Sequence, residues 1–138
     1  MKGDEQNKKN VVDSSGWLEY FADAPNAGFF ASAIEKTAHL IVPSISVAEV
    51  FRHLLRQCSE KEAFQAIESM LQGTVVDLDI ETSLSAAKLG VVHRIPMADS
   101  IILATGLAHG ATIWSQDADF EGLPHVRYIK KTSLHNNL

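Results

Sequence analysis

Four acidic residues that are far apart in the chain each fall where a predicted strand ends or a predicted helix begins. Asp13 closes a short apolar strand, Glu49 lies early in a helix, Asp99 lies in the first turn of another helix, and Asp117 follows a strand, with Asp119 nearby. Carboxylates packed together repel one another, and their pKa values rise unless a cation is present. An all-oxygen site suits Mg²⁺ or Mn²⁺. Such an ion can activate water for attack on a phosphodiester.

The elements that must position these acids alternate between strands and helices. Apolar runs predict strands at residues 10–13, 39–42, 74–78, 111–115 and 125–129. Helical periodicity and capping signals predict helices at 14–21, 27–37, 44–57, 59–71, 80–93 and 97–109, with a turn or short helix at 119–123. This pattern predicts an α/β fold, a three-layer α/β/α sandwich with a central parallel sheet of about five strands.

In a parallel α/β sheet the carboxyl ends of the strands meet at one edge, where the following helices begin. A helix that leads into a strand also begins at that edge, because it runs antiparallel to the strand. Asp13, Glu49, Asp99 and Asp117 all satisfy this geometry. We therefore expect them to lie on one rim of the sheet.

Composition and charge limit the class of protein. The 138 residues predict a single domain, 1–138, with an ordered core at about 9–131 and frayed ends in the leader up to about Lys8 and in the tail LHNNL. The N-terminal MKGDEQNKKN is polar, no apolar run is long enough to cross a bilayer, and Cys58 is the lone cysteine. These features predict a cytoplasmic protein without a membrane partner. A net charge of −5 argues against a simple cationic nucleic-acid binder, but metal ions would offset a carboxylate site.

Each acid also has a local explanation. Asp13 could be the N-cap of the following helix, and Glu49 could close a capping box with Ser46. Asp99 could complement a helix dipole, and the acids after the fourth strand could be turn residues. These explanations account for the acids separately, but not for their arrival at one rim.

Three sequence blocks together resemble the PIN-domain family, in particular the VapC toxins of type II toxin–antitoxin pairs. The blocks are VVDSSGWLEYF, PSISVAEVFR and MADSIILATGLAHGATIWSQDADF, and the resemblance runs from about Val11 to Ile129. It implies a parallel sheet between helices, a homodimer, cleavage of RNA with Mg²⁺ or Mn²⁺, and restraint by a small cognate antitoxin of the VapB type.

The resemblance also assigns roles to residues of this chain. The catalytic set it implies is Asp13, Glu49, Asp99 and Asp117. The metal ligands it implies are Asp13, Asp99, Asp117 and Asp119. Ser14 and Ser115 would support the acids through hydrogen bonds, and Ser115 stands where the family more often has threonine.

Basic residues near the acids have two interpretations. Arg52 and Arg56 lie near the same helix face as Glu49, so either could contact a phosphate or the antitoxin. Alternatively, Arg52 forms a weak surface ion pair with Glu49. Further lysines could steer RNA or simply be solvated; these are Lys36, Lys130 and Lys131.

The competing class is a non-catalytic α/β module that binds RNA or a protein partner, either receiver-like or a degenerate PIN scaffold. A receiver would have adjacent acids near the end of the first strand and a lysine after a late strand. Here Asp13 is followed by Ser14 and Ser15, and no lysine lies between Ser115 and Phe120. A haloacid-type phosphatase would need Asp-x-Asp at the first strand, which is also absent. The sequence therefore favours a metal-dependent endoribonuclease, the toxin of a toxin–antitoxin pair.

Overall fold

Five short strands form one parallel sheet at the centre of the molecule. The computed structural model describes residues 8–132, so the predictions for the leader and for the tail LHNNL concern residues essentially outside this range. The strands are β1 (Asn10–Val12), β2 (Leu40–Pro43), β3 (Thr74–Val76), β4 (Thr112–Ser115) and β5 (Val126–Tyr128). Their order in the sheet is β3-β2-β1-β4-β5, and every neighbouring pair is parallel. The predicted fold class is confirmed.

The sheet order also decides against one of the alternatives. A receiver has the strand order 2-1-3-4-5, whereas here β2 lies between β1 and β3. The receiver-like interpretation is therefore wrong. The order places β1 in the middle of the sheet, with β4 beside it.

Six helices connect the strands, close to the predicted ranges. They are α1 (Ser14–Phe21), α2 (Ala27–Ile34), α3 (Ser44–Leu55), α4 (Glu60–Met70), α5 (Ile80–His93) and α6 (Met97–Ala108). The helix predicted at 27–37 is shorter, because its last part forms a separate 3₁₀ turn, Thr37–His39. The turn predicted at 119–123 is a 3₁₀ turn at Ala118–Phe120.

The two faces of the sheet bury separate apolar clusters, as alternation along a strand requires. Val12 packs with Trp17, Phe30 and other residues on the side that α1 to α4 cover. The preceding Val11 packs with Ile102 and other residues on the side that α6 covers. Full burial of each such side chain contributes about 1.5–3 kcal/mol to stability. These two clusters hold the carboxyl edge of the sheet in place.

A tight turn joins α5 to α6 and fixes the start of α6. Arg94 ends α5 in the left-handed conformation, with φ 56°. A Cβ on Gly90 would lie 2.6 Å from Oγ of Ser100, so glycine permits this close approach of the two helices without displacing Ser100. The approach positions the first turn of α6, which contains Asp99.

None of the described helices is by itself long and apolar enough to cross a membrane. Helices α5 and α6 meet that criterion only as a pair, and they are bent by 118° relative to each other.

Candidate metal centre

Asp13 connects the end of β1 to the start of α1. Its Oδ1 accepts a hydrogen bond from the backbone N–H of Gly16 at 2.9 Å, so it is the N-cap of the helix. The hydroxyl of Ser15 donates to Oδ1 at 2.8 Å, and the hydroxyl of Ser115 donates to Oδ2 at 2.6 Å. The side chain is only 2% exposed. Asp13 is therefore confirmed as the N-cap of α1, and the same side chain also lies among the acids of the rim.

Burial dominates the acidity of Asp13. Desolvation raises its pKa to about 6, although the hydrogen bonds from Ser115, Gly16 and Ser15 favour the charged form, and the negative charge of Asp117 raises the pKa further. A carboxylate that has been desolvated in this way is stabilised by a nearby cation.

Ser115 links Asp13 to the loop after β4. It is the last residue of β4 and is fully buried. While its hydroxyl donates to Asp13, it accepts the backbone N–H of Asp117 at 2.9 Å. Oδ1 of Asp117 in turn accepts the N–H of Asp119 at 2.9 Å, so Asp117 caps the 3₁₀ turn that carries Asp119. The interpretation of Asp117 and Asp119 as turn residues is therefore confirmed for the local backbone.

Three acids come together closely enough to share an ion. Asp99, Asp117 and Asp119 each offer one carboxylate oxygen, and these oxygens all lie within 4.8 Å of one another. Among the described residues this group contains neither Asp13 nor Glu49. Asp99 comes from the start of α6, whereas the other two come from the loop after β4.

The electrostatics of Asp99 connect the trio to the other two acids. Desolvation is the largest cause of its raised pKa, which reaches about 7. The charges of Asp117, Asp13, Asp119 and Glu49 raise it further, in that order. All five acids therefore act on one region of the rim, as the predicted convergence requires.

Glu49 has a different partner from the one its local sequence suggested. Its Oε1 accepts a hydrogen bond from the hydroxyl of Ser14 at 2.6 Å. The capping box with Ser46 is wrong, because α3 already begins at Ser44 after Pro43, and Ser46 therefore lies inside the first turn. In the described part of the chain, the buried hydroxyl of Ser46 has no hydrogen-bond partner.

The two arginines of α3 are exposed. Arg52 lies within the helix and Arg56 is its C-cap residue. The carboxylate of Glu49 is engaged by Ser14, and residues 8–132 contain no ion pair between Glu49 and Arg52. Both guanidinium groups are thus accessible to a partner.

A buried polar network, not anticipated from the sequence, supports the loop that carries Asp117. The side chain of Gln116 donates to Glu19 of α1 at 3.0 Å and accepts from Asn26 at 2.9 Å. The backbone N–H of Asn26 donates to the other carboxylate oxygen of Glu19 at 2.9 Å. All three residues are buried, so the network holds the loop firmly against α1. The only sequence signal for this network is that Gln116 lies between Ser115 and Asp117.

Two surface cavities lie near the loop after β4. One, of about 440 Å³, is lined by Asp117 and by the basic tail of the described chain; its lining is Ser15, Gln116, Asp117, Ala118, Tyr128, Lys130 and Lys131. The other, of about 480 Å³, is a groove between α1 and the end of α3, with Leu18, Phe21, Leu54 and Cys58 among its lining residues. Ser15, Gln116 and Lys131 line both cavities. The two spaces therefore adjoin each other next to Asp117.

The residues of the centre fit a hard divalent cation. The trio offers only carboxylate oxygens, which such cations prefer. The mutual repulsion that raises the pKa of Asp99 would be relieved by a positive charge.

Comparisons with known proteins give one family match and one partial relative. The model of the PIN-domain family matches residues 11–126. Ribonuclease VapC4 of Mycobacterium tuberculosis is 46% identical over 48 residues, which are 35% of this chain and 34% of that protein. The matched segment thus spans about a third of the curated relative.

Solved structures resemble the chain over most of its length. A toxin–antitoxin complex from Klebsiella pneumoniae has a TM-score of 0.71 at 19% identity, covering 86% of this chain and 96% of that chain. VapC20 of Mycobacterium tuberculosis, a toxin that cleaves the sarcin–ricin loop, has a TM-score of 0.69 at 19% identity, covering 86% and 99%. DNA-bound VapBC from Salmonella typhimurium has a TM-score of 0.69 at 13% identity, covering 89% and 98%. At these identities the likeness shows the fold.

Proposed function

Because the chain belongs to the PIN-domain family, we propose that it is a divalent-metal-dependent endoribonuclease that cleaves phosphodiester bonds in RNA. The observation that carries the proposal is the meeting of carboxylate oxygens of Asp99, Asp117 and Asp119 within 4.8 Å. The local identity with a ribonuclease supports RNA as the substrate. So does the shared fold with a toxin that cuts a structured RNA loop.

Asp99, Asp117 and Asp119 would hold the cation, and Asp13 would join them from the side of β1. We propose Mg²⁺ or Mn²⁺, because both prefer carboxylate oxygen. When bound, such an ion lowers the pKa of water and offsets negative charge on a phosphodiester. No serine or cysteine nucleophile is needed for that chemistry.

The protein's own groups hold the acids in position. The Ser115 hydroxyl fixes one oxygen of Asp13 and also fixes the loop of Asp117. The Ser14 hydroxyl fixes one oxygen of Glu49. We assign to the other oxygen of Glu49 the role of accepting a proton from the attacking water, because the hydrogen bond from Ser14 holds Glu49 beside Asp13 at the rim.

The RNA strand would approach over the cavity beside Asp117. Lys130 and Lys131 line it together with Tyr128, so positive charge lies next to an otherwise acidic centre. The backbone carbonyl of Lys130 accepts a hydrogen bond from the side chain of Asn26 at 3.1 Å, which ties this segment to the buried network. Lysines placed in this way would neutralise phosphates that flank the bond to be cut.

The test is cleavage by the purified protein of a panel of structured, end-labelled RNAs. We expect chelation by EDTA to stop cleavage, excess Mg²⁺ or Mn²⁺ to restore it, and Asp99→Asn to abolish it. Glu68→Gln, which removes an exposed carboxylate on α4, is the matched control and should cleave normally. Cleavage that persists in EDTA or in the Asp99→Asn variant would rule out the proposed chemistry.

We further propose that the biological role is that of a toxin restrained by a small VapB-like antitoxin. Structural neighbours include toxin–antitoxin complexes, and the one from Salmonella typhimurium is bound to DNA. The apolar groove between α1 and α3 shares Ser15, Gln116 and Lys131 with the cavity that Asp117 lines, so a partner segment lying in the groove would extend to that cavity and restrict access to the acids. Arg52 and Arg56, exposed on α3, would contact the same partner or an RNA phosphate.

The toxin role has its own test. Expression of the chain should arrest growth, Asp99→Asn should not, and co-expression of a small open reading frame from beside the gene should relieve the arrest. If the protein cleaves RNA in vitro but its expression does not arrest growth, the proposed nuclease activity would stand and the proposed toxin role would be excluded.

A further inference from the structure

A tyrosine near the metal centre lies outside the apolar core. Tyr128 is the last residue of β5 and is half-buried, and its Cα partner in the neighbouring strand is Ser115, whose hydroxyl holds Asp13. Within residues 8–132 the ring of Tyr128 belongs to none of the buried apolar clusters and to no aromatic pair. The fold therefore does not use this ring for packing, and its apolar face is accessible to a ligand.

Tyr128 lines the cavity of about 440 Å³ beside Asp117. This volume falls in the range of about 300–1,000 Å³ that is typical of sites for small organic groups. The lining combines the aromatic ring, one acid of the metal centre and two exposed lysines, Lys130 and Lys131. An aromatic ring binds flat apolar groups, whereas ammonium groups bind phosphate. A nucleotide is the ligand class that carries both a flat ring and a phosphate.

Buried hydrogen bonds hold the lining of this cavity in place. Gln116 is the most buried residue of the lining, and its side-chain amide donates to Glu19 at 3.0 Å and accepts from Asn26 at 2.9 Å. The amide of Asn26 also donates to the backbone carbonyl of Lys130 at 3.1 Å. One buried amide thus fixes both the loop of Asp117 and the lysine segment before a ligand arrives. Such preorganisation lowers the cost of ordering the site on binding.

The same hydrogen bonds limit how a base can be recognised. The amide of Gln116 is engaged at both ends, and the hydroxyl of Ser15 donates to Asp13 at 2.8 Å, so these groups cannot read the edge of a base. Stacking on an aromatic ring accepts any of the four bases, since each has a flat face. The base must be unpaired, because bases splayed out of a helix are the ones that stack on protein rings. The cavity therefore favours an unpaired nucleotide of any base identity.

The cavity also fixes where that nucleotide lies along a strand. Asp117 belongs both to the trio of acids and to the lining of the cavity. A phosphodiester at the metal centre and a base in the cavity would therefore be close in space. This places the stacked base next to the bond that is cut, which a strand satisfies and a free mononucleotide does not.

We propose that the cavity lined by Tyr128, Lys130 and Lys131 is a nucleobase site, in which one unpaired base beside the cleaved phosphodiester stacks on the ring of Tyr128 while the lysines hold its phosphate. The inference rests on the proposed function for the identity of the strand as RNA. It adds a specificity that the acids do not supply, since cleavage would require a base at this position but not a particular base.

The first experiment measures binding without cleavage. The full-length Asp99→Asn protein, with Mg²⁺ present, serves as the parent, and its Kd for a fluorescein-labelled single-stranded oligoadenylate is measured by fluorescence anisotropy. We expect Tyr128→Leu in this parent to raise the Kd by about tenfold, as loss of one stacked base does. Tyr128→Phe keeps the ring and should bind as well as the parent. Absence of binding by the parent, or equal Kd values for the parent and Tyr128→Leu, would overturn the proposal.

A matched control removes an exposed ring elsewhere. Phe64 lies on α4 and is 51% exposed, so Phe64→Leu in the same parent should leave the Kd unchanged. A loss in Phe64→Leu equal to that in Tyr128→Leu would show that the effect is not specific to the cavity, and it would overturn the site.

The second experiment changes the RNA and so does not depend on the folding of a variant. The oligoadenylate is compared with an abasic ribose-phosphate strand of the same length. We expect the parent to bind the abasic strand at least about tenfold more weakly. Tyr128→Leu should bind the abasic strand as well as the parent does, because the contact that it removes is already missing. A further loss in Tyr128→Leu on the abasic strand would show that Tyr128 does not contact a base.

A third strand, oligouridylate, tests base tolerance. It should show the same dependence on Tyr128 as oligoadenylate, since the ring contacts a face that both bases have. A dependence confined to one of the two strands would exclude stacking without base identity.

The site and the nuclease activity can fail separately. Binding that depends on Tyr128, in a protein whose wild type does not cleave RNA, would exclude the nuclease and support the nucleobase site. Cleavage by the wild type and by Tyr128→Leu with the same KM would support the nuclease and overturn the site.

Discussion

The hydroxyl of Ser115 donates a 2.6 Å hydrogen bond to Oδ2 of Asp13 across 102 positions of sequence. The bond joins the ends of the neighbouring strands β1 and β4 at the edge where the acids meet. The same hydroxyl accepts the N–H of Asp117. One buried hydroxyl therefore sets the position of two acids that come from different parts of the chain.

Loss of this hydroxyl should weaken the metal centre. We expect Ser115→Ala to lower the affinity for Mn²⁺ by about ten- to a hundredfold, as removal of hydrogen bonds behind metal ligands commonly does. Isothermal titration calorimetry measures the affinity. Ser115→Thr keeps the hydroxyl and should bind nearly as well as the wild type, whereas equal affinity in Ser115→Ala would show that the bond does not position the acids.

Neutralising the acids should abolish cleavage while stabilising the metal-free protein. Asp13→Asn and Asp117→Asn should each reduce cleavage to the background of the assay, because each removes a charge that attracts the ion. Asp13→Asn should also raise the melting temperature in EDTA by a few degrees, since it removes a desolvated charge and asparagine still caps α1. Normal cleavage by either variant would remove that residue from the mechanism.

The stability of the metal-free protein should fall as the pH rises. The pKa values of Asp13 and Asp99 are raised to about 6 and about 7, mainly by desolvation. A raised pKa in the folded state contributes stability that is complete below the unfolded value and is lost as the pH passes through the folded value. For Asp13 this contribution is roughly 3 kcal/mol.

We therefore expect the urea midpoint in EDTA to decrease between about pH 4 and about pH 7, that is, between the unfolded and the folded pKa values of the two acids. The exposed Asp79 has a lowered pKa, which acts in the opposite direction but only in more acidic solution. Saturating Mg²⁺ or Mn²⁺ should flatten the dependence, and Asp99→Asn should reduce it. A midpoint that rises over this range in EDTA would contradict the desolvation of the two acids.

Substitution of the lysines beside Asp117 should change binding of RNA more than the chemical step. We expect Lys130→Ala with Lys131→Ala to raise KM and to reduce the slope of log affinity against log salt by about 0.7 for each phosphate that is no longer neutralised. Lys61→Ala, on exposed α4, is the control for the removal of a surface charge. A lower kcat with an unchanged KM would place the lysines in catalysis instead.

The sequence was sufficient to predict the fold and the rim of acids. Short apolar runs alternating with amphipathic segments are typical of parallel α/β proteins, and the position of each acid relative to a strand end or helix start depends on that alternation alone. This is why Asp99 and Asp117, eighteen residues apart in sequence, could be assigned to the same edge.

The details of pairing could not be predicted, since they depend on tertiary contacts. Glu49 satisfied a local capping pattern with Ser46, although the helix was already expected to begin at Ser44, and only the folded chain shows that the glutamate accepts from Ser14 instead. Nothing in the sequence around Glu19 and Asn26 indicates that they pair, and only the folded chain brings them to Gln116. Sequence spacing likewise does not determine which of the acids lie closest together, because that depends on distances in the folded chain.

Asp13 ends the first strand and begins the first helix, so its side chain serves both the backbone and the site. An alanine there would leave the Gly16 amide without its acceptor and would loosen α1 together with the groove beside it. Asp99 has no such structural role. It makes no side-chain hydrogen bond in residues 8–132, and the N-cap of α6 is Pro96, which offers no side-chain cap. A folded but inactive variant, suitable for capturing the proposed RNA substrate uncut or the proposed antitoxin, is therefore best made by substitution of Asp99.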